Sequence, residues 1–150
     1  MELYLVQHGE AMEESADPNR PLTPKGREVV SATAAFLKGQ NVKIDEVWHS
    51  QKLRARQTAD IITETLGIRE SIEKKFLNPN DPVSPVADVI AMHPRNILIA
   101  GHLPFLAKLA AFLVSGSEKK EVVAFQPGKV ASLRKGEAGW TLSKEESNLA

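Results

Sequence analysis

The sequence predicts an α/β fold, a three-layer α/β/α arrangement with a largely parallel central sheet and an antiparallel edge. Three observations carry that expectation. Short apolar runs alternate with amphipathic segments from the first residues to Val114. The apolar runs are of strand length and are bounded by turn residues. The last part of the chain holds two or three further short strand-like runs, which suit the antiparallel edge.

The elements follow in order. Leu3-Tyr4-Leu5-Val6 suits a buried strand. Thr23-Pro24 supplies an N-cap and a proline at the first helical position, opening a helix towards Gly39. Val29, Val30, Thr33, Phe36 and Leu37 recur at helical spacing and form its expected inner face. Ile44 to Trp48 reads as a second strand, followed by a helix from Lys52 to Leu66 that Gly67 closes at C′. Ser71 to Pro82 offers one short strand and then a loop. Ser84-Pro85 caps a helix ending near His93-Pro94. Asn96 to Ala100 is a third clear strand, leading through Gly101-His102-Leu103-Pro104 into a helix to Val114. Val122 to Phe125, Val130 to Leu133 and Trp140 to Leu142 are short strands, and Ser143 to Ala150 is a polar tail.

At 150 residues the chain reads as one domain spanning residues 1–150. A chain of that size buries roughly 70% of the surface its unfolded form exposes, so it needs no staple. It has no cysteine, which excludes a disulfide framework, a thiol nucleophile and thiolate zinc sites. Nineteen basic residues balance nineteen acidic ones, giving a net charge of +0. Nothing there attracts nucleic acid or an anionic membrane in bulk, although a local basic pocket is compatible with it. The apolar start is too short for a membrane span and lacks a basic n-region. The expectation is a soluble, cytoplasmic protein with neither a membrane nor a nucleic-acid partner.

Three motifs end three strands. His8-Gly9 follows the first, the stretch Ser50-Gln51-Lys52-Leu53-Arg54-Ala55-Arg56-Gln57-Thr58 follows the second, and Gly101-His102 follows a third. Ligands of open α/β sheets bind in the crevice beyond the carboxyl ends of the strands. His8, Arg54 and His102 can therefore converge although they are far apart in sequence, and helix N-termini beyond the strands add donors for an anion. A neutral imidazole is a nucleophile near neutral pH, arginine forks onto phosphate oxygens, and a second imidazole can balance charge on a transferring phosphoryl group. The chemistry that fits is phosphoryl transfer through a phosphohistidine, with no obligatory metal or other cofactor.

Four motifs in this order, "QHGE", "RPLTPKG", "SQKLRARQTA" and "GHLP", resemble the signature of the histidine phosphatase superfamily, whose fold is phosphoglycerate mutase-like. The short chain resembles the SixA-type phosphohistidine phosphatases in particular, over residues 1 to about 115. The resemblance implies that His8 is the phosphorylated nucleophile, that Arg54 binds phosphate and that His102 also contacts the phosphoryl group. It makes Gly9 functional as well as turn-forming. It implies as partner a phosphohistidine-containing protein, such as a phosphotransfer domain, with phosphate as product. The chain has little room for a lid, so the pocket should be open and shallow.

The sequence departs from the family at Gln7, where arginine usually precedes the nucleophile. An amide donates hydrogen bonds but carries no charge and makes no bidentate guanidinium contact. Removing one such donor lowers rate by roughly 10²–10³-fold. Arg20 is the expected compensating or substrate-contacting group, because Arg56 should face away from Arg54 on the helix. Glu10 is either a loop acid or a group that orients a histidine or the substrate. Ser50 reads as a helix cap, His49 as a residue at most on the pocket rim, and His93 as a helix-end residue. No His-x-x-x-His pair with a carboxylate stands on one face to hold a metal. Two alternatives accompany the phosphatase reading: a phosphohistidine- or phosphate-binding module weakened in turnover by Gln7, and a small-molecule phosphomonoesterase.

Overall fold

The computed structural model describes residues 1–69, 71–93 and 95–145. Its elements are β1 (Glu2–Gln7), α1 (Pro24–Gly39), β2 (Glu46–His49), α2 (Leu53–Leu66), β3 (Ser71–Glu73), α3 (Ser84–Ala91), β4 (Ile97–Gly101), α4 (Phe105–Ser115), β5 (Val130–Gly136) and β6 (Gly139–Glu145). Helix α1 begins as its sequence dictates. Thr23 is extended, its Oγ1 accepts the Gly26 N–H at 2.9 Å, and Pro24 occupies a position whose N–H would have no helical partner. Helix α2 ends where Gly67 enters the left-handed region at φ 69°.

The six strands form one sheet in the order β3-β2-β4-β1-β5-β6. The pairs β2–β3, β2–β4 and β1–β4 are parallel, while β5 joins β1, and β6 joins β5, antiparallel. Alternate residues of the central strands point to opposite faces. Tyr4, Val6, Leu98 and Ala100 meet Val30, Ala34 and Leu37 of α1 and Ala59 and Ile62 of α2. Leu3, Leu5, Ile97 and Ile99 meet Val86 and Ile90 of α3 and Phe105, Leu106 and Leu109 of α4. The result is a three-layer α/β/α arrangement with the expected antiparallel edge.

Four local expectations need correction. Residues 122–125 form no strand; Val123 is instead buried in the core under α3 and α4, so the apolar character is spent on packing. The inner face of α1 is Gly26, Val30, Thr33, Ala34 and Leu37, while Val29 and Phe36 flank it half-buried. Ser84 is the first residue of α3 rather than its cap; Val83 holds the cap position and makes no side-chain bond to it. That helix ends at Ala91, and Pro94 lies outside the described residues. Finally, Ser143 to Glu145 continue β6 instead of opening a tail, the rest of which also lies outside the described residues.

The connections decide where a ligand belongs. Strands β1 and β4 are neighbours, yet α1 leaves β1 towards one face of the sheet and α4 leaves β4 towards the other. Such a divergence opens a crevice at the carboxyl ends of the two strands.

Candidate active site

His8 stands in that crevice. Its N–H donates to the Gly101 carbonyl at 2.9 Å, extending the β1–β4 ladder one residue and bringing His8 level with His102. The two rings lie 5.1 Å apart between centroids, tilted by 56°. His8 Nδ1 is 2.8 Å from the Gly9 carbonyl oxygen. A carbonyl only accepts, so Nδ1 carries the proton and Nε2 keeps its lone pair. Burial, the largest cause, together with the charges of Arg54 and Arg20, holds His8 below the ordinary imidazole value, against an opposing effect of the Gly9 carbonyl. The His8 ring is thereby held neutral, with the lone pair of Nε2 bare.

His102 is buried, and its Nε2 lies 2.6 Å from Ser50 Oγ. Its Nδ1 is buried with no hydrogen-bond partner. Burial, then the charges of His8, Arg54, Lys52 and Arg20, pushes its pKa down to about 3. Arg54, in the first turn of α2, has a buried Nε that also lacks a partner. Burial and the neighbouring Arg20 lower its pKa. Cationic side chains and unpartnered nitrogens are thus gathered around His102. No carboxylate is among the groups that perturb His8, His102 or Arg54.

A cleft of about 590 Å³ is lined by Arg20, Lys52, Arg54 and Gln51, with Glu14 also in its wall; neither histidine lines it, but the charges of Arg20, Lys52 and Arg54 all act on His102. Arg20 adopts a left-handed backbone at φ 49°, and its Nε donates to the Met12 carbonyl at 3.0 Å. That bend brings it back from the β1–α1 loop to the cleft. Arg56 faces Asp60 across 3.9 Å on the outer side of α2, as its spacing from Arg54 requires.

The remaining residues singled out by sequence divide. Gln7 ends β1 half-buried, and its Oε1 is buried without a partner. Gly9 is not in the left-handed region, so turn geometry does not demand it. Packing does: an added Cβ would lie 2.8 Å from Val30 Cγ2 and 3.0 Å from the Gly26 carbonyl oxygen. Its N–H is taken by Thr58 Oγ1 at 3.1 Å. Glu10 is exposed, and its backbone carbonyl accepts the Thr23 N–H at 3.0 Å while its carboxylate acts on neither histidine. His49 is buried rather than at the rim, with Nδ1 2.8 Å from the Ser50 carbonyl oxygen. His93 stacks edge-on against Trp48 at 5.5 Å. Among the described residues, no group of three or more His, Asp or Glu is placed to hold a metal ion, and no helix is long and apolar enough to cross a membrane.

Sequence reasoning missed four supporting residues, all inside the "SQKLRARQTA" stretch. Ser50 holds His102, and Lys52 adds charge to the cleft. Gln57 Oε1 accepts the Leu22 N–H at 2.8 Å, and Thr58 Oγ1 both accepts from Gly9 and donates to the Arg54 carbonyl at 2.8 Å. For two of them the signal was available: Gln57 and Thr58 stand at i+3 and i+4 from Arg54, on one helix face.

Comparison with known proteins bears on what this site is for. A family model described as the histidine phosphatase superfamily (branch 1) matches residues 3–78. The chain belongs to the histidine phosphatase superfamily. It is 30% identical over 145 residues to the phosphohistidine phosphatase SixA of Escherichia coli (strain K12), covering 93% of this chain and 88% of that protein. The solved structure of the protein histidine phosphatase SixA complexed with tungstate superposes with a TM-score of 0.87 at 29% identity, covering 100% of both chains. The alpha-ribazole phosphatase from Shigella flexneri shares the fold, with a TM-score of 0.77 at 20% identity over 97% of this chain and 96% of that one. Membership and the likeness to SixA make this superfamily chain a phosphatase, a hydrolase.

Proposed function

We propose that this phosphatase removes the phosphoryl group from a phosphohistidine side chain of another protein through a phospho-His8 intermediate. The observation that carries the reading is the His8 ring, tied through Nδ1 to Gly9 and free at Nε2, beside His102 and a cationic cleft. In the first step Nε2 forms a bond to phosphorus while the bond from phosphorus to the substrate imidazole nitrogen breaks. The substrate ring, already protonated at its other nitrogen, keeps that electron pair and departs as a neutral imidazole. In the second step water attacks phosphorus, the bond to Nε2 breaks, and inorganic phosphate leaves. Arg54, Arg20 and His102 bind the phosphoryl oxygens, where charge accumulates. Gln7 lies alongside as an uncharged contact, Gly9 supports the ring, and Glu10 stands outside the reacting groups.

Glu14 stands in the cleft wall but is not among the groups that act on His8 or His102, which favours a phosphohistidine substrate over an ester. An alkoxide leaving group needs a proton from a positioned acid. No acid acts on either histidine here, and a protonated imidazole departs without one. A protruding phosphohistidine, as on a phosphotransfer domain, also suits an open cleft. The uncharged Gln7 favours one second reading, a phosphohistidine- or phosphate-binding module with weakened turnover.

The test is turnover of a phosphohistidine protein and of sugar phosphates side by side, with ³²P trapping and a His8→Ala control. The expected result is label on His8, faster release from the protein substrate, and loss of both in His8→Ala. Tight phosphate binding with no labelled intermediate would establish the binding module. Preference for sugar phosphates would establish a small-molecule phosphomonoesterase.

A further inference from the structure

We propose that Ser50 is a positioning residue that fixes the tautomer of His102, so that the ring presents Nδ1–H to a phosphoryl oxygen; the use of that N–H rests on the proposed reaction, the tautomer does not. The argument is a count of the buried groups that each tautomer leaves without a partner. Ser50 is fully buried. Among the described residues its Oγ has two partners, His102 Nε2 at 2.6 Å and the Lys52 backbone N–H at 3.3 Å. The Lys52 N–H is a donor and occupies a lone pair of the hydroxyl. The hydroxyl proton then has one acceptor within reach, His102 Nε2. If Nε2 carried the proton instead, both the Ser50 proton and the Nδ1 lone pair would be buried without partners, against Nδ1–H alone in the other tautomer, and native structures keep such groups few.

The neutral ring has one proton, so placing the Ser50 proton against Nε2 puts the ring proton on Nδ1. That nitrogen is buried, partnerless and part of a ring 5.1 Å from His8. As N–H it donates to an anion; as a bare lone pair it would repel one. Burial and the surrounding cations keep the ring neutral in the empty pocket, so the tautomer matters. The serine is itself held: His49 Nδ1 donates to the Ser50 carbonyl at 2.8 Å at the end of β2. Partners of this kind outside the reacting groups are worth about 10–100-fold where they orient a histidine on a metal, and a similar loss is expected here.

The experiment is ring ¹⁵N NMR of histidine-labelled protein at neutral pH, with inorganic phosphate titrated in. The wild type should show His102 protonated at Nδ1 and not at Nε2. Ser50→Ala should lose that preference and bind phosphate about 10–100-fold more weakly. Ser50→Thr, which keeps the hydroxyl, should restore both. A wild-type ring protonated at Nε2, or Ser50→Ala with unchanged tautomer and affinity, would overturn the inference. If Ser50→Ala does not fold, the wild-type and Ser50→Thr spectra decide alone. Because the tautomer is read without turnover, absent phosphohistidine hydrolysis with an intact Nδ1–H signal refutes the reaction and leaves the Ser50 assignment standing.

Discussion

Replacing Gly26 by alanine should destabilise the protein, although the same change at an ordinary helical glycine stabilises. A glycine inside a helix costs about 0.5–1 kcal/mol relative to alanine. Gly26 lies in the first turn of α1, under the loop that follows His8. An added Cβ would sit 2.2 Å from the Glu10 carbonyl oxygen and 3.0 Å from Glu10 N and C. Backbone cannot swing aside like the end of a side chain, so the loop must move by about 1 Å to restore contact distance. Overpacking of this kind costs typically 1–3 kcal/mol. A backbone contact at 2.2 Å belongs in the upper part of that range, about 2–3 kcal/mol, so after the helical gain the net loss should be about 1–2.5 kcal/mol, or a Tm lower by roughly 2–10 °C for a chain of this size.

Gly39 provides the internal control, because an added Cβ there meets nothing within 4 Å. Gly39→Ala should be neutral or stabilising by up to about 1 kcal/mol. Thermal and urea unfolding by circular dichroism read both variants. The Glu10 segment also follows Gly9, whose carbonyl orients His8. Gly26→Ala should therefore lower kcat as well as stability. A Gly26→Ala protein as stable as the wild type, or a Gly39→Ala protein equally damaged, would refute the steric argument.

Other expectations follow from the site. In the proposed reaction His8 must be neutral to attack, and its pKa is lowered, so the acid limb of kcat/KM should fall at a pH below 6.5, the ordinary imidazole value; a limb above it, in a pH–rate profile corrected for substrate ionisation, contradicts the burial argument. His102 is depressed from 6.5 to about 3, so between those values the unfolded chain binds a proton that the folded chain does not. Its contribution to stability is present above pH 6.5 and declines as pH falls through that window, and urea midpoints should show a shallower decline in His102→Gln. Thr58→Val keeps the shape but strands the Gly9 N–H, so urea unfolding should show a loss of about 1–3 kcal/mol. Gln7→Arg should raise kcat/KM by about one to two orders of magnitude. If Arg20 compensates for Gln7, Arg20→Ala should harm the wild type more than it harms Gln7→Arg, and equal losses in a double-mutant cycle would remove that coupling.

Much of the fold was legible because its signals are local. Thr23-Pro24 and Gly67 mark helix ends through the chemistry of one or two residues, and both stand where the sequence put them. The buried strands read as apolar runs because helices cover both faces of the sheet. The failures are places where a local pattern has two uses. Val122 to Phe125 is apolar enough for a strand, yet Val123 packs under α3 and α4. Ser84 resembles a cap, but the helix starts one residue earlier than such a cap allows, with Val83 in its place.

The site divides along the same line. That His8, Arg54 and His102 come together could be expected because each ends a strand or opens a helix, and strand ends converge in this class of sheet. Ser50 could not, since its partner His102 is 52 positions away and only the β2–β4 pairing brings them together. Gly9 was legible as necessary but for the wrong cause: the constraint is the approach of α1, a tertiary fact, and not the turn itself. Gln7 is the converse case. In sequence it reads as a lost charge, because only its neighbour His8 defines the comparison. In space, Arg20, Lys52 and Arg54 line one cleft, and all three charges act on His102. The charge that matters to a phosphoryl group is summed over the pocket, so a substitution at one position sets the local contact and not the sign of the site.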